Sequence, residues 1–477
     1  MTALVRSLVT CLLAILGATA AELAAQPSLP VVPGGHGFAM ATRAAYGGSR
    51  APAVLRVTNT LASGAGSFRE AVLATGPRVI IFETSGTIDI GEDGINIVEP
   101  YLTIAGQTAP SPGITIKGGG LNVYAHDVLI SHLRIRPGDG GKVLPQTADH
   151  DGALMYVAFG REPSNIVWDH CSISWAGGKV ADLLALGTQN RVTVSFWRSI
   201  LSEALFHAKN VIVDKGQPSS LGLLLTGNTG GGADVSVIGN LFAHNSDRNP
   251  EVHEGVRLQF LNNVIYNWGI DSQAQGGNNY EWATFFYAPV AAGPVRATIR
   301  GNVYIAGPGP HPTVPLYAVG VWVLPPGSQI YMADNIRDER LQQVREYFQN
   351  RRMFDPRVLT SPVPLDGVPV LPASSVKSQV LTTAGARPAD RDAVDRRIVN
   401  EVQTYTGKVI RSQNEVGGWP DLAANVRRLT LPANPHQATP SGYTNLEAWL
   451  HAFSAAVEGG TAAPAQLAAS NGRSRPW

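Results

Sequence analysis

The sequence predicts an all-β fold: a parallel β-helix, a solenoid continued by a C-terminal loop and helix extension. Three observations carry that expectation. One short apolar pattern recurs along the chain, with strand residues at i and i+2 and a turn residue at i+5. In its last three occurrences the i+5 residue is asparagine: Asn240, Asn263 and Asn302. The composition is 44% hydrophobic and only 15% charged, with 51 glycines, which suits many short strands and tight turns and argues against disorder or a long-helix protein.

Taken in order, residues 1–25 read as a secretory signal. Arg6 supplies the positive start, Ser7 to Gly17 the apolar stretch, and small residues follow to Ala25, with cleavage expected near Ala20 or Ala25. The apolar stretch is too short to span a bilayer; a buried N-terminal helix is the other reading. Cys11 would leave with the signal, so Cys171 would stand alone, without a disulfide, as a small core residue.

Residues 32–307 carry the repeat. It runs as "LTIAGQ" from Leu102, "VLISHL" from Val128, "IVWDHC" from Ile166 and "VTVSFW" from Val192. It continues as "VSVIGN" from Val235, "LQFLNN" from Leu258 and "ATIRGN" from Ala297, at start-to-start spacings of 26, 38, 26, 43, 23 and 39 residues. The short spacings are one rung each, and the long ones a rung with an inserted loop. Spacings this uneven exclude the regular blades of a β-propeller. Asparagine at i+5 is expected to take the left-handed backbone of the turn and to bond its equivalent on the next rung.

The repeat fades near Gly307. Residues 308–457 are a Pro-rich and helical extension expected to pack on the solenoid, with helical spacing at 338–354 and 389–407. A third helix at 444–457 is capped by Thr444, with Glu447 at the capping-box position. Residues 458–477, rich in Gly, Ala and Ser, read as a disordered tail.

On a solenoid, residues that act together are distant in sequence and adjacent in space. Asp149 and Asp151 share a face at strand spacing and suit an all-oxygen cation site, or a solvated turn. Asp169 and His170 end one strand and read first as a hydrogen-bonded turn pair, while Asp182 can add a third carboxylate. Lys215 follows the "VTVSFW" rung. Arg248 stands two residues before Pro250, which fixes the backbone locally, and His253 follows; Asp247 can equally form a structural salt bridge. The formal net charge of +1 with no basic run argues against a nucleic-acid partner. No G-x-S-x-G elbow, P-loop, H-E-x-x-H or zinc-type spacing occurs.

Read together, "RVTNTLASGAGSFREAV" (56–72), "LTIAGQTAP" (102–110), "VWDHCSISW" (167–175), "SDRNP" (246–250) and "LNNVIYNWG" (261–269) resemble the pectate lyases of polysaccharide lyase family one, in the pectin lyase-like superfamily. The likeness covers about residues 32–305. It implies a right-handed parallel β-helix and a secreted enzyme, extracellular or periplasmic. Such an enzyme cleaves polygalacturonate by β-elimination to unsaturated oligogalacturonates, as a monomer without nucleic-acid or membrane partners. It further implies Ca2+ held by Asp149, Asp151 and Asp182, bridging to the substrate uronate and acidifying the proton alpha to its carboxyl. Arg248 matches the arginine that takes that proton, and Lys215 the lysine that binds uronate.

This chain departs from the pattern twice. His253 stands where the resemblance expects a second arginine for the substrate carboxylate. Gly177, Gly178 and Lys179 stand where acidic residues are expected; either Asp182 compensates from a shifted position, or calcium is weak, borrowed mainly from the substrate, or partly replaced by the Lys179 ammonium. The alternatives are a calcium-independent lyase of methylated pectin or another uronan, and a non-catalytic polysaccharide-binding β-helix. Hydrolysis would need paired acids flanking the bond and ranks below these.

Overall fold

The computed structural model describes residues 29–139, 151–156, 161–206, 220–227, 231–269, 282–288, 293–309, 316–337, 347–348, 357–358 and 368–459. The signal segment, Asp149, Lys215 and the tail beyond residue 459 lie outside them.

Three parallel sheets form the solenoid, one of 11 strands and two of 9. Each rung adds one strand to each sheet. In one rung, Ser164–Asp169 lies in the first sheet, Ser172–Ser174 in the second and Lys179–Leu184 in the third. All three pair in parallel with their counterparts on the next rung. Alternation sets the faces: Ile166, Trp168, Ile173, Ala181 and Leu183 point inward and join one continuous apolar core with the equivalent residues of other rungs.

The corner between the first and second sheets repeats most regularly. Its left-handed residue is at i+4, not at the asparagine. His132, His170, Arg198, Gly239, Asn262, Gly301 and Asp334 all have positive φ there. The expectation that asparagine itself bends the chain is therefore corrected. The bend at i+4 turns the next side chain inward along the stack, where asparagine serves as a bridge. The Oδ1 of Asn263 accepts from Asn240 N and Nδ2 at 2.9 and 3.1 Å. Asn302 serves Asn263 in the same way, and Asn335 serves Asn302. Ser199 extends the file by donating its backbone N–H to Asn240, and Cys171 donates its own to Ser199 Oγ. Cys171 is fully buried, as expected of a core residue, and burial pushes its thiol up to about 12.

Three further expectations are corrected. Ile166 pairs with Val194, not Val192, and Val194 with Val235; the slip is two residues, so every side chain keeps its face. The repeat also runs past Gly307. Gln329–Ala333 pairs with Arg296–Arg300, and Arg357–Val358 pairs with Gln329 and Ile330. Within the expected helix at 338–354, Tyr347–Phe348 is a strand against Gly320 and Val321. The unpaired edge of a parallel ladder offers backbone partners that outweigh a local helical pattern.

The extension packs outside. Helices Ala373–Thr383 and Ala393–Thr404 lay Val376, Val380, Ile398 and Val402 on Ile200, Leu241 and Val264 of the second sheet. Asp392 and Asp395 neutralise the buried Arg136. The last helix, Asn445–Glu458, has the expected Thr444–Glu447 capping box. It sets Leu446, Leu450 and Phe453 against Val79, Ile81 and Ala105 of the first sheet. The helices thus cover the first and second sheets, and the described candidates Asp151, Asp182, Arg248 and His253 gather on or beside the strands of the third.

Asn263→Ala is expected to destabilise the fold by about 2–4 kcal/mol, since it orphans the buried Asn240 N–H and the Val237 carbonyl. Asn335→Ala, at a part-buried position where water can substitute, should cost less than half as much. Guanidinium unfolding of the two variants checks the order.

Candidate active site

Register on the third sheet places Asn122, Leu154, Asp182, Leu224, Glu251 and Phe285 in one column across successive strands. Asp182 faces outward because Ala181 and Leu183 on either side face the core. Asp151 precedes the neighbouring strand Ala153–Tyr156, and its Oδ1 accepts from the Lys179 backbone N–H at 2.6 Å. The Lys179 ammonium sits 2.8 Å from Asp182 Oδ2 and 3.8 Å from Asp151 Oδ2. Two of the three expected metal ligands are therefore brought together, and a lysine from this chain stands between them. Both carboxylates are buried.

Arg248 is held by its backbone. It takes a left-handed φ of 61°, and the next residue, Asn249, donates its N–H to Ala283 O at 2.7 Å. A Cβ on Gly222 would come within 2.5 Å of Arg248 O, so only glycine lets the two strands approach. Thr284 Oγ1 donates to Asn249 O, and Phe285 N to Pro250 O. The Arg248 side chain, about a quarter exposed, reaches Glu251 with Nε 2.6 Å from Oε2. The other oxygen of Glu251 lies 2.8 Å from His253 Nε2.

Burial opposes the charge on Glu251, but the His253 hydrogen bond and the Arg248 charge outweigh it and hold the carboxyl below its usual range. Asp247 behaves oppositely. Burial and the neighbouring Glu251 charge push its carboxyl up to about 7, against the pull of Arg248. Beyond Glu251, the rings of Trp282, Phe285 and Tyr287 form a stacked file, with Tyr287 edge-on to His253.

Of the expected residues, the structure gathers Asp151, Asp182, Arg248 and His253. Asp149 and Lys215 lie outside the described residues. Asp169 and His170 sit at the corner between the first and second sheets and form a 2.6 Å pair. The sequence reading missed Glu251, which ties Arg248 to His253. Its signal is an acid at spacing i+3 from the arginine and two before the histidine, the short reach of a bent strand.

No family model matches the chain. It is 31% identical over 455 residues to "Probable pectate lyase C" of Aspergillus flavus, covering 89% of this chain and 94% of the relative. The protein of the same name from Aspergillus fumigatus is 31% identical over 464 residues, covering 92% and 97%. That of Emericella nidulans is 35% identical over 282 residues, covering 59% and 54%. Among solved structures, the pectate lyase from Acidovorax avenae subsp citrulli aligns with a TM-score of 0.47 at 13% identity, covering 76% of this chain and 98% of that one. A pectate lyase bound to hexasaccharide gives 0.44 at 13%, covering 76% and 100%.

Because the folded Asp247 carboxyl holds its proton up to about pH 7, its contribution to stability is full below the ordinary carboxylate range. That contribution is lost as pH rises through 7. Asp247→Asn is expected to stabilise the fold at pH 8 by about 2–4 kcal/mol and to change little at pH 4. Urea unfolding of both proteins at the two pH values checks it; parallel pH profiles would contradict it.

Proposed function

The chain belongs to the pectate lyase family, and from that premise we propose how its own residues cleave polygalacturonate. It is a polysaccharide lyase, acting by β-elimination. The observation that best supports the residue roles is Arg248, fixed by its backbone in the turn that leads into the third-sheet strand Glu251–Val252, beside the Asp182–Glu251 column.

In this proposal the polymer lies along that sheet and Arg248 takes the proton alpha to the uronate carboxyl. The C–H electron pair becomes the new double bond. The bond to the β-oxygen breaks, and its electrons leave with that oxygen, which water protonates. Free arginine keeps its proton far above neutrality, so turnover is expected to climb toward alkaline pH. Lys215 binds uronate by resemblance, and His253 replaces the second arginine while orienting Glu251 against Arg248. The stacked rings of Trp282, Phe285 and Tyr287 offer apolar faces to sugar rings at one end of the column.

The described residues do not fit a protein-held calcium ion. Asp151 and Asp182 already surround an ammonium, and a divalent ion in that place would have to expel it. We therefore assign no step to calcium. Lys179 supplies the local positive charge, a lesser one that also suits an esterified or other uronan as the second reading. Export through the signal at residues 1–25 and action as a monomer complete the proposal. Among the described residues no helix is long and apolar enough to cross a membrane.

Arg248→Ala is expected to lower the formation of unsaturated product by about 10³-fold or more. Binding of polygalacturonate, followed by affinity electrophoresis, should stay within a few-fold. Loss of both would make Arg248 a binding residue instead. Lys179→Ala should create a calcium site where the wild type has none. Calorimetric titration with Ca2+ is expected to give stoichiometric heat in the variant only, and identical isotherms would contradict the proposal.

A further inference from the structure

The helix Asn445–Glu458 carries its charges unevenly. Glu447 in its first turn suits the positive end of the helix dipole, but its last residue is Glu458, and its last turn has no basic residue of its own. A carboxylate at the negative end of a helix is unfavourable unless a cation faces it. The solenoid offers one. At the corner between the first and second sheets the left-handed i+4 position holds histidine on two adjacent rungs, His132 and His170, because Ser131 pairs with Asp169. The two rings stack, 5.1 Å apart and 6° from parallel, and both are almost fully buried.

The helix end meets that corner directly. His132 Nε2 lies 3.3 Å from Glu458 Oε1 and 3.8 Å from Asp169 Oδ2, while its Nδ1 lies 2.8 Å from the carbonyl oxygen of Ala386. Acceptors therefore face both ring nitrogens, an arrangement that suits the doubly protonated, charged imidazole. His170 Nδ1 lies 2.6 Å from Asp169 Oδ1 and 3.7 Å from Glu458 Oε1. The other charged groups nearby have their own partners or surroundings. Asp390, in the turn after Ala386, pairs with Arg387, Arg198 lies over the Trp197 ring, and burial holds His451 below its usual value. A cavity of about 180 Å³, lined by Asp169, His170, Arg198, His451 and Glu458 among others, adjoins the helix end.

We infer that the last turn of this helix is a pH-dependent latch, in which protonated His132 clamps Glu458 to the solenoid and loss of that proton lets the turn lift from the cavity. Burial opposes the charge on His132, but Glu458 and Asp169 outweigh it and hold the imidazole above its usual value. Burial likewise opposes the charge on Glu458, and His132 and His170 outweigh it and hold that carboxyl low. The contribution of His132 is therefore full below the ordinary imidazole value and is lost as pH rises through the higher folded one. That of Glu458 is lost only as pH falls through its depressed value. The latch is shut in mildly acid solution and loosens in alkaline solution. The earlier turns stay down, because Leu446, Leu450 and Phe453 are held by apolar contacts with the first sheet, which do not titrate.

Hydrogen exchange of the full chain tests this, read as protection factors so that the intrinsic pH dependence of exchange is removed. Between pH 5.5 and 9.5 the protection of amides 455–458 is expected to fall by about tenfold or more, the scale of an imidazolium at a helix C-terminus. Amides 448–451 should change by less than about threefold. Glu458→Gln, at a partly exposed helix end, should show the low value already at pH 5.5 and vary by less than about threefold across the range. Constant protection in the parent would overturn the inference. So would a fall shared equally by the earlier turns, or a Glu458→Gln profile parallel to the parent's.

Discussion

The corner between the first and second sheets sets the register on which the rest of the molecule depends. A left-handed residue at i+4 turns the chain, and the residue at i+5 points inward and bonds its counterpart one rung away. Since a parallel strand shifted by one residue would turn its apolar side chains outward, this file of asparagines pins the register of the rungs from Ser199 to Asn335. Insertions can then vary in length without disturbing the stack, because each rung is fixed again at its next corner. The column that joins Asp182 to Glu251 across Leu224 on the third sheet is a consequence of that register.

On the third sheet the charges are arranged against one another. Asp151 and Asp182 hold Lys179, and Glu251 holds Arg248 and His253. Removing one partner from such a buried set leaves an uncompensated charge, a loss of about 3–5 kcal/mol, so these groups are fixed before substrate arrives. In the proposed function, an incoming uronate would add one more carboxylate to a place where carboxylates and cations already alternate. There the Lys179 ammonium lies between the carboxylates to which the family resemblance assigns a divalent ion.

Much of this was legible in the sequence, for physical reasons that can be named. Rungs repeat, so strand pattern and turn residue repeat with them. Helix caps are local, so Thr444 and Glu447 declare themselves. What was hidden depended on pairing between distant segments. The two-residue slip at Val194 leaves the apolar alternation unchanged and cannot be seen from it. The rung that ends in Asn335 carries the same i+5 signal as its predecessors, 33 residues after Asn302, but proline-rich and charged neighbours obscured it. Glu251 was missed because only the backbone bend at Arg248 and Pro250 brings it onto the guanidinium.

The central claim is that this site performs elimination with an ammonium where a calcium ion is expected. The most direct measurement is near-ultraviolet absorbance of the mature protein with polygalacturonate at alkaline pH, with added calcium and with a chelator, since unsaturated uronate absorbs there and saturated ends do not. The account predicts a rise in both conditions, with the chelator removing only a minor part. A rise seen with calcium and abolished by the chelator would contradict it.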